Sequence, residues 1–515
     1  MRFVYSGKPL RLYGRRLLVF SKSSLDYTDI AVDKASQLNA IFFPRNLAVI
    51  GVSSDPDAFG SRFLKALIDF GFKGKLFPVN PKGGEVFGLR IYPAVSDIPE
   101  PVDSADIMVP APLVPQVLRE CLAAGVKGAQ IYSSGFSETG DPQRAALEEE
   151  LKAIGAQGIR LIGPNCFGVY CPAGGHTLLP GGDFPRESGP VGFISQSGGH
   201  AVELGRQARG RGLRFSKAVS YGNACDVNES DLLEYMAGDP ETKVITIYLE
   251  GPREGRRFFD LVKATAPKKP IVIWKAGLTE AGARAVRSHT GSLGGEEAIW
   301  RALFHQTAAI RVGSLEELAD TAEALLVLPR HTGRRIGMVG GGGGTSVAAT
   351  DACAAVGLSV PPFDDSLRSR LAEILPLAGT MMRNPVDVGV PLVPPDVFRR
   401  VLEMVAAVDF VDTVIATQPL FYLLGGHFPM PLPADEIVRM LVEVPAAVRD
   451  KFGKPVVVVL PVGGEEVEMA EAEKGRRQAR DRYREMGVLS LPSLDRVARA
   501  VANVVTYYEK TASNQ

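Results

Sequence analysis

The chain repeats one rhythm along most of its length: a short β-branched run, a glycine-bearing turn, then a stretch with apolar residues at helical spacing. Runs too short for helices and too uniformly apolar for half-solvated strands predict the buried strands of parallel sheets, with helices packed over them. Three blocks emerge. In the first, strands are expected at 46–51, 75–80, 105–110 and 128–133. The second opens at 189–195 and continues through 243–249 and 271–274. The third opens at 335–340 and includes 413–417 and 455–460. Boundaries near 180 and 330 fall at Leu179-Pro180-Gly181-Gly182 and Leu328-Pro329-Arg330, which are turn-forming clusters. The charged stretch 465–484 reads as one solvated helix. Residues 1–40 join none of the blocks.

Composition narrows the class. A chain of 515 residues exceeds one core and calls for several domains. Its 45% hydrophobic and 23% charged residues describe an ordinary soluble globular protein. Lys plus Arg and Asp plus Glu both number 58, so no basic surplus points to nucleic acid or an anionic membrane. The cysteines at 121, 166, 171, 225 and 353 form no CxxC pair, so neither a disulfide framework nor a metal site is expected. A reducing, cytoplasmic setting is the simplest reading. No apolar run is long enough to span a bilayer. The basic, partly apolar N-terminus lacks the continuous core and cleavage site of a signal peptide.

Chemistry concentrates at strand ends. Gly51-Val52-Ser53-Ser54 leads from the first strand toward Gly60-Ser61, a strand–turn–helix arrangement whose free N–H groups can cradle an anion. The spacing is not GxGxxG. An NAD site would also place an acid after the second strand, whereas this one ends Asn80-Pro81-Lys82. That cation suits a phosphorylated ribose, as in coenzyme A; a plain flavodoxin-like turn with no ligand is the alternative. Further strand ends carry Val109-Pro110-Ala111, Ser134-Gly135-Phe136-Ser137-Glu138 and Gly163-Pro164-Asn165, at the edge where open α/β sheets bind ligands.

The second block holds Arg287-Ser288-His289-Thr290-Gly291-Ser292, one of six histidines set on an expected glycine-flanked loop. A neutral imidazole can attack phosphorus and later release it, although a loop histidine is more often a solvated side chain. Two glycine-rich helix starts could compensate a phosphoryl charge: Ser197-Gly198-Gly199, and Gly342-Gly343-Gly344-Thr345 in the third block. The latter lacks the lysine of a Walker loop. Glu250 ends the strand at 243–249 and by itself reads as an ordinary strand-end acid.

Together the motifs VNPK, SSGFSE, GPNCFG, SQSGG, YGNACD, GDPETKVITIYLEG, SHTGS, VGGGGGTSVAATD and NPVDV resemble the α subunit of NDP-forming acyl-CoA synthetases, relatives of succinyl-CoA synthetase; the ADP-forming acetyl-CoA synthetase branch is the nearest match. The resemblance runs from about Phe42 to about residue 500. It implies an α/β fold: a Rossmann-like CoA-binding domain (41–178) after an N-terminal extension (1–40), then two flavodoxin-like parallel-sheet ligase domains (185–328 and 332–510). It implies that Gly51, Ser53, Ser54, Gly60, Asn80 and Lys82 meet CoA phosphates or ribose. Val109, Pro110, Ser134, Gly135 and Phe136 would line the pantetheine path, with Glu138 and Asn165 near the reactive end. His289 matches the phosphohistidine, and Glu250 the carboxylate that stabilises it as charge develops. The loops at Ser197–Gly199 and Gly342–Thr345 match phosphate-binding helix ends, and Asn384-Pro385-Val386-Asp387-Val388 a supporting segment. The SQSG motif departs from the family in continuing Gly199-His200.

The implied reaction is reversible: acyl-CoA, phosphate and ADP give acid, CoA and ATP through phosphohistidine. No ATP-grasp module is legible after residue 330. ADP or ATP with Mg²⁺ is therefore expected on a separate ATP-grasp β subunit, in an α2β2 assembly. Alternatives are an FdrA-type acyl or carbamoyl transferase relative, which the presence of both His289 and Glu250 disfavours, and a non-catalytic CoA-binding protein. An AMP-forming ligase is disfavoured because its Ser/Thr/Gly-rich loop is absent. The acyl group is not legible.

Overall fold

The computed structural model of the protein describes residues 37–178, 184–290, 296–376, 380–389, 394–424, 433–463 and 469–512, without the side chains of 285, 287–290 and 434. The β-branched runs form strands buried on both faces, as parallel sheets covered by helices require. The first sheet is all parallel, in the order Lys75–Val79, Asn46–Ile50, Ser104–Ile107, Gly128–Ile131, Arg160–Ile162. The second runs Ile310–Val312, Ile271–Lys275, Val244–Leu249, Val191–Ser195, Phe215–Ser220, Gly168–Tyr170, with only the last strand antiparallel. The third runs Met381–Met382, Val386–Asp387, Ile336–Val339, Thr413–Thr417, Val456–Val459, Ser490–Leu491. The α/β class with a Rossmann-like sheet and two flavodoxin-like sheets is borne out.

In each sheet the first parallel strand has later strands on both sides, and the direction of winding reverses beside it. A crevice opens there at the carboxyl ends of the strands. The reversal falls between Ile50 and Ile107, between Ser195 and Leu249, and between Val339 and Thr417. All three points coincide with motifs singled out from the sequence.

Two features were not legible in the pattern. Gly168–Tyr170, read with the first block, closes the second sheet by pairing with Phe215–Ser220. The C-terminal helix Leu494–Ala512 packs across the helix Leu315–Val327 of the second block. There Asn503 Nδ2 donates to Thr321 Oγ1 at 3.0 Å and Tyr507 Oη to the Ala266 carbonyl at 3.1 Å. Of the charged stretch, residues 465–468 lie outside the described residues; from Ala470 it forms the helix Ala470–Glu485, which is not wholly solvated, since Ala472, Arg476, Ala479 and Tyr483 are buried.

The first turn is built on close backbone contact. A Cβ on Gly60 would lie 2.3 Å from the Gly51 carbonyl oxygen, and one on Gly51 2.5 Å from that of Met108. Gly60 thus presses the helix Phe59–Phe70 onto the strand end. Gly60→Ala is expected to cost about 1–3 kcal/mol by overpacking, because rigid backbone must yield. Denaturant unfolding of the variant checks this; an unchanged midpoint would show that the turn relaxes freely.

Candidate functional site

Around the first crevice, Ser53 N–H donates to Ser61 Oγ at 3.2 Å, and Ser61 Oγ donates back to the Ser53 carbonyl at 2.8 Å. This pins the turn against the helix. The helix Phe59–Phe70 has no side-chain cap and no acid in its first turn, so its leading N–H groups remain available to an anion. Ser54 and Lys82 are exposed beside it. Asn80 Oδ1 accepts from Lys82 N–H at 3.0 Å and shapes the turn that carries the cation. Val109 is half-buried and Pro110 exposed at the next strand end, with Ser134 exposed and Gly135 half-buried one strand further. This donor set fits a phosphate-bearing CoA. Phe136 corrects the expectation: it is fully buried in the core of the first sheet and cannot line a surface path. It contributes its backbone N–H instead, which donates to Glu138.

Glu138 is fixed from two domains. Its carboxylate accepts Gly135 N–H at 2.5 Å and Asn223 Nδ2 at 2.6 Å. Burial pushes its pKa up, but the amides of Gly135, Asn223 and Phe136 outweigh burial and hold it below the usual carboxylate range. Asn223 comes from the loop after Phe215–Ser220 in the second sheet and also donates to the buried Glu148 at 2.8 Å. Asn165 Nδ2 donates to Asn223 Oδ1 at 3.3 Å, and the Arg253 guanidinium to its carbonyl. A Cβ on Gly222 would lie 2.2 Å from the Pro164 carbonyl oxygen, so the segments GPNCFG and YGNACD lie against each other. Asn223 and Arg253 were not identified from sequence; YGNACD marked the region, but no local signal shows that one amide clamps two carboxylates of another domain.

At the second crevice Glu250 is buried, 4% exposed. Tyr248 Oη donates to its carboxylate at 3.3 Å, and its backbone N–H donates to Gln196 Oε1 at 2.9 Å. Burial, then the charge of Glu250, pushes the Tyr248 phenol up, keeping it a donor. Ser197 caps the helix Gly198–Arg211 by accepting from His200 N–H, and no acid stands in the first turn. A Cβ on Gly198 would lie 2.4 Å from the Phe167 ring, whereas Gly199 is exposed with room around it. His200 packs edge-on against Tyr248 and beside Trp274, with ring centroids 4.5 and 4.8 Å away.

His289 stands in the last turn of the helix Glu280–Thr290, not on the loop expected; its side chain and residues 291–295 lie outside the described residues. This helix approaches the turn Ser137–Thr139 of the first domain. In the third sheet Gly342 precedes the helix Gly343–Ala355, which again has no side-chain cap and no first-turn acid. Gly340 and Gly341 take positive φ (101° and 82°), and Gly344 and Thr345 are exposed. Asp387, of the NPVDV segment, reaches this turn: its Oδ2 would lie 3.8 Å from a Cβ on Gly343. Among the described residues no cluster of potential ligands could hold a metal, and no helix is long and apolar enough to cross a membrane.

Lys275 is buried behind Glu250, with Nζ donating to the Glu250 carbonyl at 2.8 Å and to that of Ala276. Burial pushes it down to about 8, against the pull of Glu250. Because the folded lysine holds its proton less tightly than the unfolded one, the unfolded state binds more protons between about pH 8 and 10.5. Stability attributable to this group therefore rises with pH through that window. Wild type should gain on Lys275→Met between pH 7.5 and 10 in thermal melts; a constant difference would exclude titration at this site.

The comparisons with known proteins agree with this geometry. Residues 45–172 match a CoA binding domain and residues 188–325 a succinyl-CoA ligase like flavodoxin domain. The chain is 40% identical to the acetate–CoA ligase [ADP-forming] I subunit alpha of Pyrococcus furiosus, over 68% of this chain and 76% of that one. It is 38% identical to acetate–CoA ligase [ADP-forming] I of Archaeoglobus fulgidus, over 73% of its own length but only 54% of the relative's. Among solved structures it superposes on acetyl-coenzyme A synthetase 1 of Ca. Korarchaeum cryptofilum, described as dinucleotide forming and in complex with phosphate and ADP, with TM-score 0.76 and 33% identity over 92% of this chain and 97% of that one. The chain belongs to the family of ADP-forming acyl-CoA synthetase α subunits, related to succinyl-CoA ligase.

Proposed function

We propose that the protein is the CoA-binding and phosphoryl-accepting subunit of an ADP-forming acyl-CoA synthetase, interconverting acyl-CoA, phosphate and ADP with acid, CoA and ATP. The observation that carries this reading is the buried Glu250 carboxylate, held by Tyr248 at the winding reversal of the second sheet, where the helix start at Ser197–Gly199, free of first-turn acids, also emerges. A phosphate oxygen attacks the thioester carbonyl, the C–S bond breaks, and CoA leaves as the thiol. His289 then attacks phosphorus, and the P–O bond breaks to release the carboxylate. Glu250 accepts the other ring N–H and stabilises the positive charge that develops on the imidazole. The N–H groups at Ser197–Gly199 and Gly342–Thr345 neutralise phosphoryl oxygens. Finally a terminal oxygen of ADP takes the phosphoryl group as the P–N bond breaks. The first crevice, with Gly51, Ser53, Ser54, Lys82 and the Phe59–Phe70 helix start, holds CoA; Glu138 and Asn165 border its reactive end.

ADP, with the Mg²⁺ that would screen its phosphates, belongs to an ATP-grasp β subunit in an α2β2 complex, working in the cytoplasm. Supporting this division, the relative that the chain matches at 40% identity, over 76% of that relative's length, is described as a subunit alpha. The test incubates the chain with acetyl-CoA and ³²P-phosphate, then adds ADP and Mg²⁺ with or without the partner. Acid-labile, base-stable label on the chain, and ATP only with the partner, is the expected result. ATP from this chain alone, or no label, overturns the reading.

A further inference from the structure

The helix Gly198–Arg211 begins at the phosphate cradle and, about 21 Å away by helical rise, ends in a different cleft. That cleft lies at the amino ends of the second sheet's strands, on the far side from Glu250, between the second and third sheets. Its cavity volume is about 210 Å³. Its walls are aliphatic, including Leu213, Leu326, Val327 and Leu489, yet four arginines line it: Arg211, Arg214, Arg480 and Arg484.

Three of these are spent. Arg211 pairs with Asp320 and with Glu323 at 2.8 Å, Arg214 with Glu187 at 3.2 Å, and Arg484 with Asp481 at 3.2 Å. Asp320 is further shared with Arg496 at 2.6 Å. Arg480 is not spent. Its nearest carboxylate oxygen, on Asp481, is 3.9 Å away, and its Nε is buried with no hydrogen-bond partner among the described residues. Five guanidinia thus face four carboxylates, and the charge left over sits on Arg480. Burial first, then the charges of Arg476 and Arg211, pull its pKa below the usual arginine value despite Asp481 and Glu323. An arriving anion would relieve that cost.

We propose that this cleft binds a small monocarboxylate, its carboxylate forked onto Arg480 and its hydrocarbon against Leu326 and Leu489. One uncompensated charge matches a monoanion, where a phosphate dianion would overshoot, and a planar guanidinium fits a carboxylate with two parallel hydrogen bonds. The site is separate from the reacting centre and does not rest on the phosphohistidine reading.

The probe is sodium butyrate, titrated calorimetrically into the full chain to millimolar levels, with sodium phosphate and chloride as comparisons. Saturable binding of one butyrate per chain is expected, weakened about tenfold or more in Arg480→Gln. Arg480→Lys, which keeps the charge but loses the fork, is expected to fall between, and serves if the glutamine variant does not fold. Glu250→Gln should bind butyrate as wild type does, separating this cleft from the reacting centre. Equal affinity in wild type and the Arg480 variants, phosphate binding more tightly than butyrate, or no saturable binding would each overturn the proposal.

Discussion

Substituting Glu250 by glutamine lowers turnover on the order of 10⁴-fold, the loss seen when a carboxylate that orients a reacting imidazole becomes an amide. The change is nearly isosteric. Gln196 bonds the backbone N–H of Glu250, not its carboxylate, so the strand end stays in place and folding is spared. On the proposed mechanism, what disappears is the negative charge that stabilises the imidazole as it becomes cationic. The defect should therefore appear in single-turnover labelling of the chain with acetyl-CoA and phosphate, with CoA affinity unchanged. His289→Ala should abolish the label altogether. If Glu250→Gln labels as fast as wild type, the carboxylate has no part in phosphoryl transfer, and Glu250 reverts to a strand-end acid held by Tyr248.

The strands were legible because a sheet covered on both faces demands continuous apolar runs, and such runs stand out wherever glycine turns interrupt them. Glycine turns at the winding reversals were legible for the same local reason: at Gly51 and Gly340 a positive φ and contact with a neighbouring strand's carbonyl exclude any side chain. What escaped was every property set by distant sequence. Phe136 sits in a motif of small polar residues, yet its ring turns into the core. Asn223 meets Glu138 and Glu148, 85 and 75 positions away. Gly168–Tyr170 leaves its own block for the edge of the second sheet, where it pairs antiparallel with Phe215–Ser220. The expected loop at His289 ends as a helix because the residues before it, Glu280 to Ala285, favour helix more than the glycines after it oppose it.

Asp320→Ala should destabilise the protein by about 3–5 kcal/mol, the range for removing one partner of a buried ion pair. Asp320 is 2% exposed on the helix Leu315–Val327 and takes Arg211 from the second domain on one side. On the other it takes Arg496 of the C-terminal helix, through Nε at 2.6 Å and Nη2 at 2.7 Å. Alanine leaves two guanidinia facing each other with only Glu323 between them, and neither can shed its proton. The cost falls on the contact that docks the C-terminal helix across the second sheet, so the melt should shift down by on the order of 10 °C. Arg496→Ala alone should cost less, because Arg211 keeps Asp320 and Glu323. In the double variant the two losses should not add, because the shared pair is lost only once. Additive losses, or a melt unmoved by Asp320→Ala, would mean that apolar packing of the two helices holds that junction without the ion cluster.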